Sequence, residues 1–166
     1  MERTDRRTLL KVAGAAVTTT AIAGCMGDDE EEPTDTDDGD TDADGDEPDF
    51  LDEEPDYGDW FDDVPNYEGT VDMRGHDEVV VLNGAGDAGQ LFEPPAIAVD
   101  PGTTVVWEWT GRGGAHNVAA EDDSFKSEML GEEGHEFEYT FEEEGITRYV
   151  CEPHVAVGMK GAVVVQ

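Results

Sequence analysis

The chain has 166 residues, and its nine Lys and Arg against 43 Asp and Glu give a formal net charge of −34, which excludes the basic footprint that nucleic-acid binding requires. The 24 carboxylates before residue 69 point to an acidic tail, yet after it only Arg74, Arg112, Lys126, Arg148 and Lys160 oppose another 19. Salt at about 1 M shortens the Debye length to roughly 3 Å, so a surface this acidic and lysine-poor reads as an adaptation to high salt.

Arg3, Arg6, Arg7 and Lys11 place positive charge ahead of a 13-residue run, 12–24, rich in Ala, Gly and Thr. A spanning helix needs about 20 apolar residues, so residues 1–24 are expected to be an export signal peptide. The Arg6-Arg7 pair and the weakly hydrophobic run resemble a twin-arginine signal. Asp5 and Leu9 depart from that pattern and leave the Sec route open. Ile22-Ala23-Gly24-Cys25 resembles a lipobox, which predicts lipidation of Cys25. Two hydrocarbon chains on one residue hold a protein stably where one binds marginally, so the mature chain is expected to be tethered to the extracellular face of the cell membrane.

Residues 25–66 are dominated by Asp, Glu, Gly, Thr and Pro, a composition that buries too little apolar surface to offset the entropy of ordering. They are expected to be a disordered linker, with Phe50, Leu51, Tyr57, Trp60 and Phe61 as scattered interruptions. The remaining stretch, 67–166, has the length of one domain.

There the texture changes to short runs of Val, Thr and aromatic residues punctuated by Gly and Pro, which predicts an all-β sandwich. Val105, Trp107 and Trp109 alternate with Val106 and Glu108, and Phe137, Tyr139 and Phe141 alternate with Glu136, Glu138 and Thr140. Further strands are expected at 79–82, 96–99, 147–151 and 161–165, with turns at Asp100-Pro101-Gly102 and Glu143-Glu144-Gly145. Residues 122–131 are expected to form a short helix or a long crossing loop.

The chemistry is concentrated in Cys151-Glu152-Pro153-His154-Val155-Ala156-Val157-Gly158-Met159, a Cys-x2-His-x4-Met spacing, with His116 35 residues upstream. Taken singly, each is a common residue: a core Met, a surface His, a buried Cys. Together they form a His2Cys set with a weak axial Met, the coordination associated with blue copper electron transfer. Thiolate and thioether suit Cu(I) and imidazoles suit both oxidation states, so the metal changes charge with little rearrangement. Zinc is disfavoured, because a structural zinc site is closed by four strong ligands and the Irving–Williams order prefers Cu(II). His76 and His135 lack suitable neighbours and are expected to be ordinary surface histidines.

On these residues the sequence resembles the plastocyanin and azurin type of cupredoxin, and within it the halocyanins. The resemblance covers roughly residues 91–166 and includes Phe92-Glu93-Pro94-Pro95-Ala96-Ile97-Ala98-Val99, Pro101-Gly102-Thr103, Val105-Val106-Trp107, His116-Asn117, Tyr149-Val150-Cys151, Glu152-Pro153-His154 and Gly158-Met159-Lys160-Gly161. It implies a Greek-key β-sandwich holding one type 1 copper by His116, Cys151, His154 and Met159. It further implies that Asn117 helps hold the ligand loop, that backbone amides donate to the Cys151 sulfur, and that electrons pass through the His154 ring edge. Pro153, His154, Val155 and Val157 then form a small uncharged docking patch for membrane-bound redox proteins of the respiratory chain, with the carrier a monomer. A copper storage, delivery or sensing module is the alternative, and a mixed, preformed ligand set favours redox cycling over exchange. An enzyme with a further catalytic copper has only His76 and His135 left to build it.

Overall fold

The computed structural model describes residues 48–166. The expected signal peptide, the lipidated Cys25 and the linker as far as residue 47 lie outside the described residues.

Among the described residues, nine strands form two sheets: β1 (Val71–Asp72), β2 (Glu78–Ala85), β3 (Leu91–Glu93), β4 (Ala96–Val99), β5 (Thr103–Trp109), β6 (Ala119–Ala120), β7 (Glu136–Phe141), β8 (Gly145–Val150) and β9 (Lys160–Val165). One sheet runs β1-β4-β9-β8-β6 and the other β3-β2-β5-β7. The all-β sandwich is as expected from the alternating runs. Strand β2 extends three residues beyond the expected 79–82 because Asn83–Ala85 pair with β3 across a bulge. The segment 122–131 is the crossing loop and not a helix. Its backbone pairs back on residues 116–120 as an irregular ribbon, with the Ala120 amide donating to the Phe125 carbonyl and the Ser127 amide to the Val118 carbonyl, and these bonds take the place of helical ones.

The main core fills the space between the sheets. Val105, Trp107 and Trp109 point into it from β5, and the Trp107 ring packs against Phe125, Phe137, Phe141 and Tyr149 at centroid distances of 5.2–6.4 Å. From β4 and β9 the residues Ile97, Val99, Val163 and Val165 point the same way. Their alternates, Ala96, Ala98, Ala162 and Val164, are also buried, on the outer face of the five-stranded sheet. Strands β4 and β9 are parallel and covered on both faces, which is why they read as unbroken apolar runs.

The cover is residues 48–67, and this corrects the expectation that the whole stretch to residue 66 is a disordered linker. Tyr57, Phe61 and Val64 are buried against those small outward residues, with Leu51, Trp60 and Tyr67 packed around them. Successive turns closed by bonds from Trp60 to Tyr57, Asp62 to Asp59, Val64 to Phe61 and Tyr67 to Val64 keep the apolar side chains on one side. Phe61 stacks on Tyr67 at 4.0 Å, with Tyr57 edge-on to both. Burying a large apolar side chain contributes roughly 1.5–3 kcal/mol, so these three, together with Leu51, Trp60 and Tyr67 and the turn bonds, offset much of the entropy of ordering a short acidic segment that its average composition would leave free. The two nearby cations reinforce it. Arg148 donates to the Tyr57 carbonyl at 2.9 Å, and the Arg148 and Lys160 charges lie 5.4 and 5.2 Å from the Trp60 ring centre.

Candidate metal centre

The metal loop is the connection from β8 to β9. Cys151 follows the end of β8, His154 opens a single turn of 3-10 helix (Val155–Val157), and Gly158 closes that turn with φ of 87°. Such a left-handed conformation suits glycine, and it turns the chain so that Met159 enters the core just before β9. Bonds from the Cys151 amide to the Met159 carbonyl (3.0 Å) and from the Met159 amide to the His154 carbonyl (3.2 Å) close the loop on itself.

His116 comes from the other side. Its backbone exchanges both hydrogen bonds with Leu130, at 2.8 and 3.0 Å, and Trp109 donates its indole N–H to the Leu130 carbonyl at 2.8 Å. The His116 ring Nε2 donates to the Arg112 carbonyl at 2.7 Å. A carbonyl can only accept, so the proton sits on Nε2 and the Nδ1 lone pair is free. Gly84 makes room for this arrangement: a Cβ there would stand 2.6 Å from Thr110 Oγ1 and 3.0 Å from the Arg112 carbonyl oxygen.

Three donor atoms converge as a result. Cys151 Sγ lies 3.6 Å from His116 Nδ1 and 3.4 Å from His154 Nδ1, and the two Nδ1 atoms are 3.1 Å apart. A triangle with these sides has its equidistant point about 2.0 Å from each corner, the length of a metal–imidazole bond and slightly short of a metal–thiolate bond. The donor set therefore fits a single metal ion. Cys151 and Met159 are fully buried and His116 is nearly so, whereas His154 is half-buried. Met159 shares the main core with Cys151.

Burial pushes the Cys151 thiol upward; amides of Asn117 and His154 directed at the sulfur pull it back, and the Glu152 charge adds to the rise. Burial and then His116 lower the His154 imidazole. Both shifts disfavour charge on the bare donors, the condition under which a bound cation has the largest effect on them. Asn117 is the hinge between the two halves of the site. Its side-chain oxygen accepts from the Glu152 amide at 2.9 Å, and its amide nitrogen donates to the Glu152 carboxylate at 2.7 Å. Lys126 and Asn117 hold the Glu152 carboxyl below the usual carboxylate range.

Pro153, Val155 and Val157 are exposed around His154, and Val157 is 53% exposed. His76 is exposed, while His135 is half-buried edge-on to Trp109 at 4.9 Å; neither belongs to the donor cluster. Sequence reasoning missed Gly84 and Arg112. A glycine inside a strand is a recognised sign of close backbone approach and marks the first, while Arg112 acts through its carbonyl and leaves no side-chain signature.

Residues 79–166 match the family described as copper binding proteins, plastocyanin/azurin family. A halocyanin from Natronomonas pharaonis is 46% identical over 170 residues, covering all of both chains. A plastocyanin from Scenedesmus fuscus is 31% identical over 99 residues, covering 54% of this chain and all of its own. Among solved structures, a purple cupredoxin from Nitrosopumilus maritimus is 30% identical with a TM-score of 0.44, covering 55% of this chain and 100% of its own. The donor set and the family match together make the cofactor one copper ion of type 1. The chain belongs to the plastocyanin/azurin family of copper-binding proteins, as a cupredoxin of the halocyanin type.

Proposed function

We propose that the protein is a single-electron carrier, not an enzyme, tethered through Cys25 to the extracellular face of the cell membrane and exchanging electrons with membrane-bound redox proteins of the respiratory chain. The observation that carries this reading is the convergence of His116 Nδ1, Cys151 Sγ and His154 Nδ1 within 3.6 Å of one another, with Met159 buried on the same loop. Copper bound there supplies one-electron chemistry by moving between Cu(I) and Cu(II).

The chain's own residues do the rest. His116, Cys151 and His154 would hold the ion as the three strong ligands, with Met159 as a weaker fourth. The Arg112 carbonyl fixes the His116 tautomer, and the Asn117 and His154 amides directed at the sulfur stabilise the thiolate and tune the potential. Only His154 among these ligands is partly exposed, so its ring edge is the port for the electron. Burial of the other three ligands weighs against ready metal exchange, and therefore against a storage or delivery role. Pro153, Val155 and Val157 around the port are uncharged in an acidic shell, which suits brief docking by apolar contact where salt screens charge.

The test is stopped-flow reduction by membranes containing the donor chain. Val157→Asp is expected to slow electron transfer about tenfold or more, the scale of losing one buried apolar contact at an interface, with the copper spectrum unchanged. Equal rates for the variant and the native protein would remove the port and its patch.

A further inference from the structure

Residues 57–66 touch the metal loop as well as the sheet. The Asp63 carbonyl oxygen presses on Gly158 so closely that a Cβ there would stand 2.1 Å from it, and 3.1 Å from Pro65 Cδ. On the other side of Met159, Lys160 pairs with the Asp63 carboxylate at 2.5 Å, and the Trp60 indole donates to the Gly161 carbonyl at 3.1 Å. Met159 is thus bracketed by three attachments to one segment, at positions 158, 160 and 161.

Otherwise this end of the loop is held by the buried Met159 side chain and by backbone bonds within the loop itself, from Cys151 to Met159 and from Met159 to His154. None of Val155–Val157 is buried, so the turn between His154 and Met159 has no apolar anchor of its own. We infer that Trp60, Asp63 and Lys160 are positioning residues, through which the 57–66 strap fixes Gly158 and Gly161, and so sets Met159 against the metal before it binds. The inference rests on Met159 being the axial ligand, as in the function proposed above. A loop held in its bound conformation loses little freedom when the metal arrives, and a free one must be ordered at that moment. The same bracket limits how far the Met159 sulfur can drift when copper changes charge.

The experiment is competition for copper against a chromophoric chelator, with the visible thiolate-to-copper band recorded, on the full chain in concentrated salt. Trp60→Ala removes the indole bond and the ring between the two cations. Lys160→Met removes the ion pair and leaves β9 intact, so it reports even where the first variant does not fold. Trp60→Ala is expected to weaken copper binding about tenfold, the lower end for partners outside the ligand shell. Trp60→Phe keeps a ring between the two cations but not the indole bond and recovers only part of that loss, and Lys160→Met shows a smaller one in the same direction. Phe141→Leu, in the core away from the strap, lowers chain stability and leaves copper affinity unchanged. Native affinity in both Trp60→Ala and Lys160→Met, or an equal loss in Phe141→Leu, overturns the inference while leaving the copper reading intact. A native protein that lacks the band ends the copper reading itself, and the inference with it.

Discussion

The two outer faces of the sandwich meet different surroundings. On the five-stranded sheet, Ala96, Ala98 and Ala162 are fully buried and Val164 nearly so, all beneath the aromatic residues of the strap. On the four-stranded sheet, Val80 and Leu82 are 46% and 38% exposed, Glu136, Glu138 and Thr140 are exposed, and Thr104 reaches across to Thr140 at 2.9 Å. A sheet with one wet face alternates; a sheet sandwiched between layers does not. The choice of small residues on β4 and β9 goes with the cover, because alanines leave room for Tyr57 and Phe61 to pack against the sheet. Since β9 starts at the residue after Met159, the covered face is also the one mechanically tied to the metal loop.

A charge placed on each face sharpens that contrast most. Ala162→Glu puts a carboxylate under the strap with no partner, and is expected to cost at least about 3 kcal/mol in denaturant unfolding in concentrated salt. Val80→Glu, on the open face, is expected to change stability by no more than about 0.5 kcal/mol. Equal effects would mean that the strap does not seal its face in solution.

Alkaline titration is the next largest effect. Burial, partly offset by its hydrogen bond with Thr70 and reinforced by the Glu54 charge, pushes the Tyr57 phenol up to about 12. A folded-state value above the ordinary 10.0 means that its contribution is complete below pH 10 and is lost as pH rises toward about 12. Stability of the native domain should fall across that window, and Tyr57→Phe should remove one proton's share of the slope. Tyr67 and Tyr149, also raised by burial, keep the remainder.

The smallest effect belongs to the strap's exposed ion pair. The hydrogen bond from Lys160 holds the Asp63 carboxyl below its usual range. A depressed carboxylate stabilises the fold above its unfolded value and loses that contribution as pH falls through the folded one. Lys160→Met should therefore flatten acid unfolding slightly in dilute buffer, and the difference should shrink without vanishing in concentrated salt, because Asp63 is open to screening ions while the Lys160 side chain is only 15% exposed. An equal difference in both buffers would mean that charge does not hold this pair.

The metal loop was legible because its three residues Cys151, His154 and Met159 lie within nine positions, so their spacing alone carries the chemistry. The sandwich was legible wherever one face is wet, as along β7. The strap was not, because Tyr57, Phe61 and Val64, although at the i, i+4, i+7 spacing of a helix face, are three apolar residues in a run of carboxylates between Pro55 and Pro65, too short to read as a helix, and separate turns join them. Its trace lies elsewhere in the chain, in the outward positions of β4 and β9. Ala96, Ala98, Ala162 and Val164 stand where an uncovered strand carries polar residues, and such a run asks for a covering layer. The contact between Asp63 and Gly158 is made by backbone atoms, which no side-chain pattern announces.

An optical and electron paramagnetic resonance spectrum of the full chain loaded with Cu(II) in concentrated salt, recorded beside Cys151→Ser, decides whether the three converging donors make a blue copper centre. The expected result is an intense visible thiolate-to-copper band with narrow hyperfine splitting, lost in the variant. A colourless native protein, or one with the same spectrum as Cys151→Ser, would contradict it.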